Sequence, residues 1–266
     1  LSEAREQLAA WLGCHALDLV FTSGATESAN TVLHHAARTL PPEAEVWLSA
    51  IEHPCVTEAA RRLFPHRHRL LPVTRAGVVD LNWLHDQLTQ PAPRGKRSAK
   101  TISQPAVRSP QGPGLVAVMA VNNETGVLQP WREVLALCRT QGIPFFCDAV
   151  QALGKLPAAS LGECDWVSGS AHKFGGPRGV GFLKCPAQGR VEPLLLGGAQ
   201  EEGRRAGTEN VAGVLAMVAA LAGRERDGAG ARADLRDQFE RKLLRALPGT
   251  QIVAAGSPRV WNTSLA

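Results

Sequence analysis

Short apolar runs alternate with amphipathic stretches along most of the chain, and this alternation is typical of an α/β fold. In the stretch 26–40, for example, Val32, Leu33 and Ala36 recur at helical spacing. The predicted strands cover 17–22, 46–50, 70–73, 115–121, 143–147, 166–170, 180–184 and 251–254. The predicted helices cover 26–40, 54–63, 81–88, 131–139, 211–222 and 231–247, and residues 1–12 form part of another.

The segment 91–113 interrupts this rhythm. It contains five prolines, shows no apolar periodicity and carries five basic residues without an acidic one. Those five charges equal the formal net charge of +5, so the rest of the chain is balanced. The segment also lacks aromatic residues on which bases could stack. It is therefore predicted to be a solvated surface insertion, and a nucleic-acid partner is not expected.

Composition places the chain among ordinary globular proteins. Hydrophobic residues make up 44% and charged residues 20% of the sequence. No apolar run approaches the roughly 20 residues of a membrane helix, and the first residues do not resemble a secretory signal. The six cysteines form no CxxC pair, which argues against a metal site and against a disulfide framework. These features predict a cytoplasmic protein with reduced thiols and no membrane partner.

Polar residues follow several predicted strands, at the edge where ligands collect in α/β sheets. In the turn 22–28, Gly24 and Thr26 precede a helix whose free N–H groups could hold an anion. His53 follows the second strand, where an imidazole either begins a helix or stacks on an aromatic cofactor. Asn123 follows the strand at 115–121, although adjacent amides usually form turns. Each of these signals is weak by itself.

A carboxylate and an amide lie at the end of the predicted strand 143–147. An acid in the position of Asp148 commonly caps the next helix, but it could also keep a ring nitrogen protonated. Gln151 could then form a hydrogen bond with a ring hydroxyl. Both interpretations are open at this point.

The strongest signal is the run 168–177, in which Lys173 follows a strand and precedes a Gly-Gly-Pro turn. A lysine in this position is poorly explained as a solvated charge. Ser170 and His172 point to the same side of an extended chain, where both could contact a phosphate. Lys173 could form an imine once it loses its proton, which burial and nearby cations assist.

Short motifs in a fixed order resemble the NifS/IscS-type cysteine desulfurases. These enzymes belong to the class V aminotransferase group of fold type I pyridoxal-phosphate enzymes. The resemblance covers nearly all of the chain except 91–113. The motifs are FTSGATES at 21–28, EH at 52–53, VNNETG at 121–126, DAVQ at 148–151, SAHK at 170–173, GGAQE at 197–201 and RAGTEN at 205–210.

The resemblance implies a role for each matching residue. Lys173 would carry pyridoxal 5'-phosphate as an imine and move the substrate's α-proton. His53 would stack on the ring, and Asp148 would pair with the ring nitrogen. Gln151 would bond the ring hydroxyl, and Asn123 would lie near cofactor and substrate. The phosphate would be held by Ala25, Thr26, Ser170 and His172, with Thr208 reaching the cofactor of the other subunit in a homodimer.

The resemblance also implies a division of the chain. Residues 1–222 would form the pyridoxal-phosphate-binding large domain, interrupted by the insertion at 91–113. Residues 223–266 would begin a C-terminal small domain. In this family a nucleophilic cysteine and a substrate-binding arginine lie downstream of the stretch that 262–264 resembles, and none of the six cysteines matches that position. A chain truncated near both ends is therefore expected.

The implied reaction removes sulfur from L-cysteine and leaves L-alanine and an enzyme persulfide. A sulfur-acceptor protein, in iron–sulfur cluster assembly, would take the persulfide sulfur. Two alternatives are open. The first is another enzyme of the same group, such as a selenocysteine lyase, an aminotransferase or an epimerase. The second is a truncated, non-catalytic relative that lacks the nucleophilic cysteine.

Overall fold

A seven-stranded mixed sheet forms the centre of the molecule in a computed structural model, which describes residues 1–89, 112–187, 189–225 and 230–266. The strands are β1 (Leu19–Thr22), β2 (Glu45–Ser49), β3 (His68–Leu71), β4 (Pro113–Ala117), β5 (Phe145–Asp148), β6 (Trp166–Ser170) and β7 (Gly181–Lys184). Their order across the sheet is β1-β7-β6-β5-β4-β2-β3. Strand β7 runs antiparallel to both of its neighbours, and the other adjacent pairs are parallel.

Helices cover both faces of this sheet. They are α1 (Ser2–Leu12), α2 (Ala25–Thr39), α3 (Pro54–Leu63), α4 (Leu81–Thr89), α5 (Trp131–Thr140), α6 (Val211–Glu225) and α7 (Gly230–Ala246). One apolar cluster contains residues of α1, α4, α5 and α6, and a second contains residues of α2 and α3. Both clusters include strand residues that bury the sheet between them. The predicted α/β architecture is confirmed.

Local sequence signals explain where the helices begin. Pro54 occupies the first turn of α3, where its missing N–H group would have no helical partner. The carboxylate of Asp80 accepts a hydrogen bond from the backbone N–H of Trp83 at 3.0 Å and so caps α4. Helix α2 follows Gly24 without a side-chain cap, which leaves its first N–H groups free for another partner.

Several predicted strands differ from the structure: the strands predicted at 70–73, 115–121 and 143–147 are His68–Leu71, Pro113–Ala117 and Phe145–Asp148, and two others differ more. Residues 251–254 form no strand; Val253 is exposed and Ala254 has a φ of 55° inside a turn. A short apolar run needs a neighbouring strand to complete its hydrogen bonds, and the sheet offers none there. The first strand begins only at Leu19, because residues Ala16–Asp18 form a 3₁₀ turn that His15 caps.

The predicted insertion at 91–113 falls almost entirely outside the described residues. Its final residue, Pro113, begins β4 and pairs with Glu45 of β2, so the sheet resumes slightly earlier than the sequence suggested. In the described part of the chain, the helices are too short or too polar to cross a membrane.

The carboxyl ends of β1, β2, β4, β5 and β6 lie at one edge of the sheet, because these strands run in the same direction. The chain segments that leave these ends carry the predicted site motifs. Strand β7 enters from the same edge through Gly179 and Gly181. Parallel topology therefore brings together residues that are up to about 150 positions apart in sequence.

Candidate functional site

A cavity of about 540 Å³ opens at this edge of the sheet. Its volume lies in the range of small-molecule and cofactor sites. Nine of the ten predicted site residues line it, and Thr208 is the exception. The nine are Ala25, Thr26, His53, Asn123, Asp148, Gln151, Ser170, His172 and Lys173.

One end of the cavity is built to receive an anion. The N-terminus of the 15-residue helix α2 faces it through Gly24, Ala25 and Thr26. Helical N–H groups and the helix dipole favour negative charge at this point. The Glu27 carboxylate does not occupy it, because Glu27 accepts a hydrogen bond from the backbone N–H of Ser23 and pairs with Arg205 at 2.9 Å. The anion-binding end predicted from the turn is thus open to the cavity.

Ser170 and His172 stand beside this helix start. The Ser170 hydroxyl and His172 Nδ1 are 3.0 Å apart, as their predicted placement on one side requires. Partial burial, with Lys173 and Arg178 nearby, lowers the pKa of His172, so its ring is neutral at pH 7. A neutral ring and a hydroxyl supply hydrogen bonds to a phosphate, and the cationic side chains supply charge.

At the anion-binding end of the cavity, backbone segments pack closely against one another at glycine residues. A Cβ atom on Gly181 would meet the carbonyl oxygen of Gly169 and would lie 2.7 Å from the Cα atom of Gly24. Gly24 itself has a φ of 151°, and a Cβ atom there would lie 3.4 Å from the Ser170 hydroxyl. Glycine at position 181 therefore lets β7 pass directly behind the start of α2.

Asp148 forms the floor of the cavity at the end of β5. Its side chain is buried, with 6% of the residue exposed. Oδ1 accepts hydrogen bonds from the Ser168 hydroxyl at 3.0 Å and from the Val150 N–H at 3.1 Å. Among the described residues, Oδ2 receives no such bond and is available to a donor in the cavity. Burial raises the pKa of Asp148, and the Val150 and Ser168 hydrogen bonds, His53 and Lys173 oppose that rise.

His53 occupies the N-cap position of α3. Its Nδ1 accepts a hydrogen bond from the backbone N–H of Cys55 at 3.1 Å, which fixes the plane of the ring. With Nδ1 as an acceptor, the neutral ring carries its proton on Nε2. The imidazole is exposed on the cavity side. It is therefore a fixed, flat surface against which an aromatic ring can stack.

The two adjacent asparagines have different functions. Asn122 is buried, and its Oδ1 accepts hydrogen bonds from the N–H groups of Glu124 and Thr125 at 3.1 and 2.9 Å. Its Nδ2 donates to the Ile51 carbonyl at 3.2 Å, which ties this turn to the segment before His53. Asn123 lines the cavity instead. The turn-forming interpretation is thus correct for Asn122, and Asn123 is the residue offered to a ligand.

Lys173 ends a short 3₁₀ turn, Ala171–Lys173, that follows β6 directly. Its side chain is exposed to the cavity. Behind the wall of the cavity lies a second lysine, Lys155, which is buried and donates to Gln151 Oε1 at 3.2 Å. Lys155 also donates to the backbone carbonyl of Lys173 at 3.3 Å. Burial, together with the positive charges of Lys173 and Arg224, lowers the pKa of Lys155 to about 8.

Thr208 is exposed and does not line this cavity. It follows a turn that is anchored through Glu201, which is buried and has a φ of 48°. The Glu201 carboxylate accepts from the Arg5 guanidinium at 2.8 and 2.9 Å and from the Phe21 N–H at 3.1 Å. Glu201 therefore attaches this segment to α1 and β1. The role of Thr208 towards another subunit stays a prediction.

Sequence reasoning missed three neighbours of the site. Cys55 and Arg178 line the cavity, and Glu52 is buried behind it. The Glu52 carboxylate accepts from the Ser49 hydroxyl and from the Met119 N–H at 2.7 Å, which links the ends of β2 and β4. The Glu-His pair and the Gly-Gly-Pro-Arg turn were visible in the sequence, but nothing in them indicates which side chain faces the cavity.

The thiol of Cys55 is a weak nucleophile in this site. Burial raises its pKa to about 12, and the nearby carboxylates of Asp148 and Glu52 contribute to the rise. Burial similarly raises the pKa of Cys14 to about 11 and those of Cys138 and Cys185 to about 12. A nucleophilic cysteine requires a lowered pKa. These thiols therefore have the properties of structural residues.

The fold and the site define a known class of protein. The family model described as aminotransferase class-V matches residues 1–94 and 100–260. The chain belongs to this family, whose members, like the cysteine desulfurases within it, use pyridoxal phosphate. The resemblance found in the sequence motifs is thereby confirmed.

Curated relatives are cysteine desulfurases. The chain is 36% identical to the cysteine desulfurase of Enterobacter agglomerans over 98% of its own length and 61% of the relative's. It is 38% identical to that of Klebsiella pneumoniae, over 99% of its own length and 62% of the relative's. The chain thus spans a little over three fifths of the length of these relatives.

Solved structures show the same fold. A NifS-like protein superimposes with a TM-score of 0.81 at 31% identity, over 98% of this chain and 68% of the other. The structure described as SspA in complex with cysteine superimposes with a TM-score of 0.76 at 27% identity, over 96% of this chain and 68% of the other. The sheet described above is the fold type I sheet of pyridoxal-phosphate enzymes.

The residues in the cavity fit pyridoxal phosphate. The free N–H groups at the start of α2, with Ser170 and His172, suit a phosphate. The free Oδ2 of Asp148 suits a protonated ring nitrogen, because a cation would offset the burial of this carboxylate. The amine of Lys173 lies on the same cavity and suits the cofactor's aldehyde carbon.

Proposed function

We propose that this chain is the cofactor-binding part of a pyridoxal-phosphate-dependent cysteine desulfurase. The observation that carries the proposal is the joint placement of Lys173, Asp148 and the open start of α2 around one cavity. A lysine alone, or an anion site alone, would suit many proteins. The three together match the three chemically distinct parts of pyridoxal phosphate, namely its aldehyde, its ring nitrogen and its phosphate.

When bound, pyridoxal phosphate supplies an electron-accepting ring that stabilises negative charge on the substrate's α-carbon. Asp148 serves this chemistry by holding a proton on the ring nitrogen. Its Oδ1 is already committed to Ser168 and Val150, so the carboxylate cannot turn away from the ring. His53 supports the ring from one face, since its hydrogen bond from Cys55 fixes the imidazole plane.

Lys173 has two duties in the proposed reaction. It anchors the cofactor, and after the substrate displaces it, its free amine moves the α-proton of the substrate. Asn123 is placed to contact the substrate.

We propose L-cysteine as substrate, with L-alanine as product and a protein persulfide as the sulfur carrier. In this step the carbon–sulfur bond of cysteine breaks and a thiol takes the sulfur atom, so no oxidant is consumed. The relatives named as cysteine desulfurases support the substrate. The persulfide would form on a thiol outside the thiols described here, since burial raises the pKa of Cys55 to about 12.

Further parts of the proposal concern the whole protein. We propose a cytoplasmic homodimer in which Thr208 contacts the partner's cofactor, and a sulfur-acceptor protein that serves iron–sulfur cluster assembly. We also propose that residues 1–222 form the large domain and that 223–266 begin a smaller one. The exposed Leu235 and Phe239 of α7 agree with this division, whereas Val260 is buried in the same apolar cluster as Val214 and Met217 of α6.

Reduction with borohydride tests the cofactor assignment. The full-length protein that carries this sequence should be yellow, and borohydride should attach the cofactor to Lys173 alone. Peptide mapping after reduction gives the attachment point, with Lys173→Ala as the control that should stay colourless. Attachment to another lysine would refute the proposed site.

A turnover assay tests the reaction. With L-cysteine and dithiothreitol, the full-length protein should release alanine and sulfide in equal amounts. Selenocysteine as a faster substrate would indicate a selenocysteine lyase, and keto-acid output would indicate an aminotransferase. Absence of all products from a protein that binds the cofactor would favour the non-catalytic alternative.

A further inference from the structure

Lys155 is a buried charge that the proposed function leaves without a role. It lies on the helical turn after β5, where Lys155 N–H donates to the Ala152 carbonyl at 3.0 Å. Only 8% of the residue is exposed, and it is not part of the cavity lining. A buried lysine is costly unless its hydrogen bonds are satisfied. The partners of this ammonium are therefore informative.

Both partners of Lys155 belong to the candidate site. Its Nζ donates to Gln151 Oε1 at 3.2 Å and to the backbone carbonyl of Lys173 at 3.3 Å. Gln151 and Lys155 are four residues apart on this turn, which places them on the same side. One side chain thus contacts the residue predicted to meet the ring oxygen and the residue predicted to carry the cofactor.

The chemistry of an ammonium group determines how the Gln151 amide is oriented. An ammonium has three donors and no acceptor, so the amide atom that faces Lys155 must be the oxygen. The oxygen and nitrogen of a planar amide occupy opposite branches of the same carbon. The branch that remains for the cavity is Nε2, which can only donate.

We propose that Lys155 is a positioning residue, which orients the Gln151 amide so that its Nε2–H group meets the cofactor's phenolic oxygen. The inference rests on the proposed function. A donor at this point binds the ionised form of the oxygen and disfavours its protonated form. Lys173 and Arg224 are the other charges that face Lys155. Lys155 therefore tunes the cofactor without touching it.

The test follows the visible absorption of the cofactor-loaded full-length protein as pH is raised. If the hydrogen-bond donor to the phenolic oxygen is lost, the oxygen holds more tightly the proton that it shares with the Lys173 nitrogen. The loss of that proton, and the colour change that reports it, then occur at higher pH. Lys155→Met should raise the midpoint by about one pH unit, the size expected for one lost hydrogen bond. Gln151→Ala should raise it similarly. Gln151→Glu, which keeps an acceptor for Lys155 but removes the donor, should raise it further.

The double variant Lys155→Met/Gln151→Ala separates positioning from direct charge. If Lys155 acts through Gln151, the double variant should show about the same midpoint as Gln151→Ala alone. Additive shifts would overturn the proposal, as would a wild-type midpoint in Lys155→Met or in Gln151→Glu. Gln151→Glu retains Lys155, so a wild-type midpoint in this variant overturns the proposal even where Lys155→Met does not fold.

Lys184→Met is the matched control. Lys184 is also buried and donates to the backbone carbonyls of Cys164 and Asp165 at 2.6 and 3.5 Å, and in the described part of the chain it donates to no residue of the cavity lining. Its replacement should lower the melting temperature of the cofactor-free protein without moving the absorption midpoint. A shift in this control equal to that of Lys155→Met would overturn the inference. A wild-type protein without bound cofactor at Lys173 would instead refute the proposed function.

Discussion

Asp148 illustrates how a single residue is prepared for one partner. The Ser168 hydroxyl and the Val150 N–H both donate to Oδ1, which fixes the carboxylate plane at the end of β5. Oδ2 is thereby directed to the cavity that Asp148 lines. Because burial raises the pKa of this carboxyl, an anionic Asp148 gains from a cation next to it.

Replacement of Asp148 by alanine should abolish most turnover and preserve the fold. In the proposed reaction this carboxylate would hold a proton on the ring nitrogen of the cofactor, so without it we expect a fall in kcat of about 100-fold or more. Measurements of kcat and of circular dichroism on the full-length protein check this. Ser168→Ala, which removes only one donor, should reduce kcat far less. Near-normal cysteine consumption by Asp148→Ala would contradict the assignment.

Glu52 is a residue whose charge state affects stability. It is 7% exposed, its Oε2 has no hydrogen-bond partner among the described residues, and burial raises its pKa to about 8. The nearby Asp148 raises this pKa further. In the unfolded chain the pKa is close to 4.5. Between these two values the folded protein binds more protons than the unfolded chain, so stability falls as the pH rises from about 4.5 to about 8.

Glu52→Gln should weaken this pH dependence. The amide mimics the protonated carboxyl and can still accept from Ser49 and Met119. We expect the wild-type cofactor-free protein to lose several kcal/mol of unfolding free energy, at most about 5, between pH 5 and pH 9, and the variant to lose clearly less. Urea unfolding across this pH range measures the difference. Equal slopes in both proteins would show that Glu52 does not titrate there.

At the scale of elements, the site depends on how β7 passes behind α2. Strand β7 is the antiparallel strand of the sheet, between β1 and β6. Gly181 at its start pairs with Thr22 and Ser170, the last residues of these two neighbours. The start of α2 and the end of β6 are thus held together at one glycine, and both supply groups for the phosphate.

Gly181→Ala should damage both stability and cofactor binding. The added Cβ would meet the Gly169 carbonyl oxygen and would lie 2.7 Å from the Gly24 Cα atom, and backbone atoms cannot move aside cheaply. We expect a loss of about 2–4 kcal/mol in unfolding free energy and weaker binding of pyridoxal phosphate. Chemical denaturation and fluorescence titration measure the two effects.

Gly223→Ala in α6 is the control for this prediction. A Cβ atom at position 223 meets nothing within 4 Å, so alanine should stabilise the helix by about 0.5–1 kcal/mol. Cofactor affinity should not change, because position 223 is not part of the cavity lining. A Gly181→Ala protein as stable as Gly223→Ala would show that β7 can shift without cost.

At the scale of the whole molecule, the described thiols bear on where the sulfur goes. Cys55 is the cysteine on the described cavity wall, and burial raises its pKa to about 12. In the proposed reaction the sulfur-accepting thiol is therefore expected to be another than Cys55. Apolar residues on α6 and α7, including Leu215 and Phe239, are exposed, as in surfaces that contact another protein.

A polypeptide of residues 1–266 should therefore bind pyridoxal phosphate weakly and release alanine from L-cysteine no faster than free cofactor does. Lys173 and the residues proposed to hold the phosphate are present, but the proposed role of Thr208 needs a partner subunit, and burial raises the pKa of Cys55 to about 12. The assay measures alanine and sulfide with dithiothreitol, with the full-length protein as the positive control. Sustained release above the free-cofactor rate, lost in Cys55→Ala, would show that Cys55 accepts the sulfur.

The sequence by itself determined the class of the fold and the chemistry of the site. Apolar periodicity is a local property, so the alternation of strands and helices could be predicted from the sequence. The position of Lys173 directly after β6 could be predicted in the same way. Parallel strands end at one edge, so residues after each strand were expected to meet there. Nine of the ten predicted residues do line one cavity, although their contacts with cofactor atoms stay predictions.

Only the tertiary structure decided which polar side chain serves the cavity and which serves the fold. Asn122 and Asn123 are identical residues in adjacent positions, but Asn122 bonds the turn 124–125 and the Ile51 carbonyl, 71 residues away, whereas Asn123 lines the cavity. The position of Lys155 relative to the site is visible only through its contact with the Lys173 carbonyl, and the apolar run at 251–254 is not a strand because it turns at Val253 and lies outside the sheet. Burial and pairing depend on the order of strands in space, which local patterns along one chain do not contain.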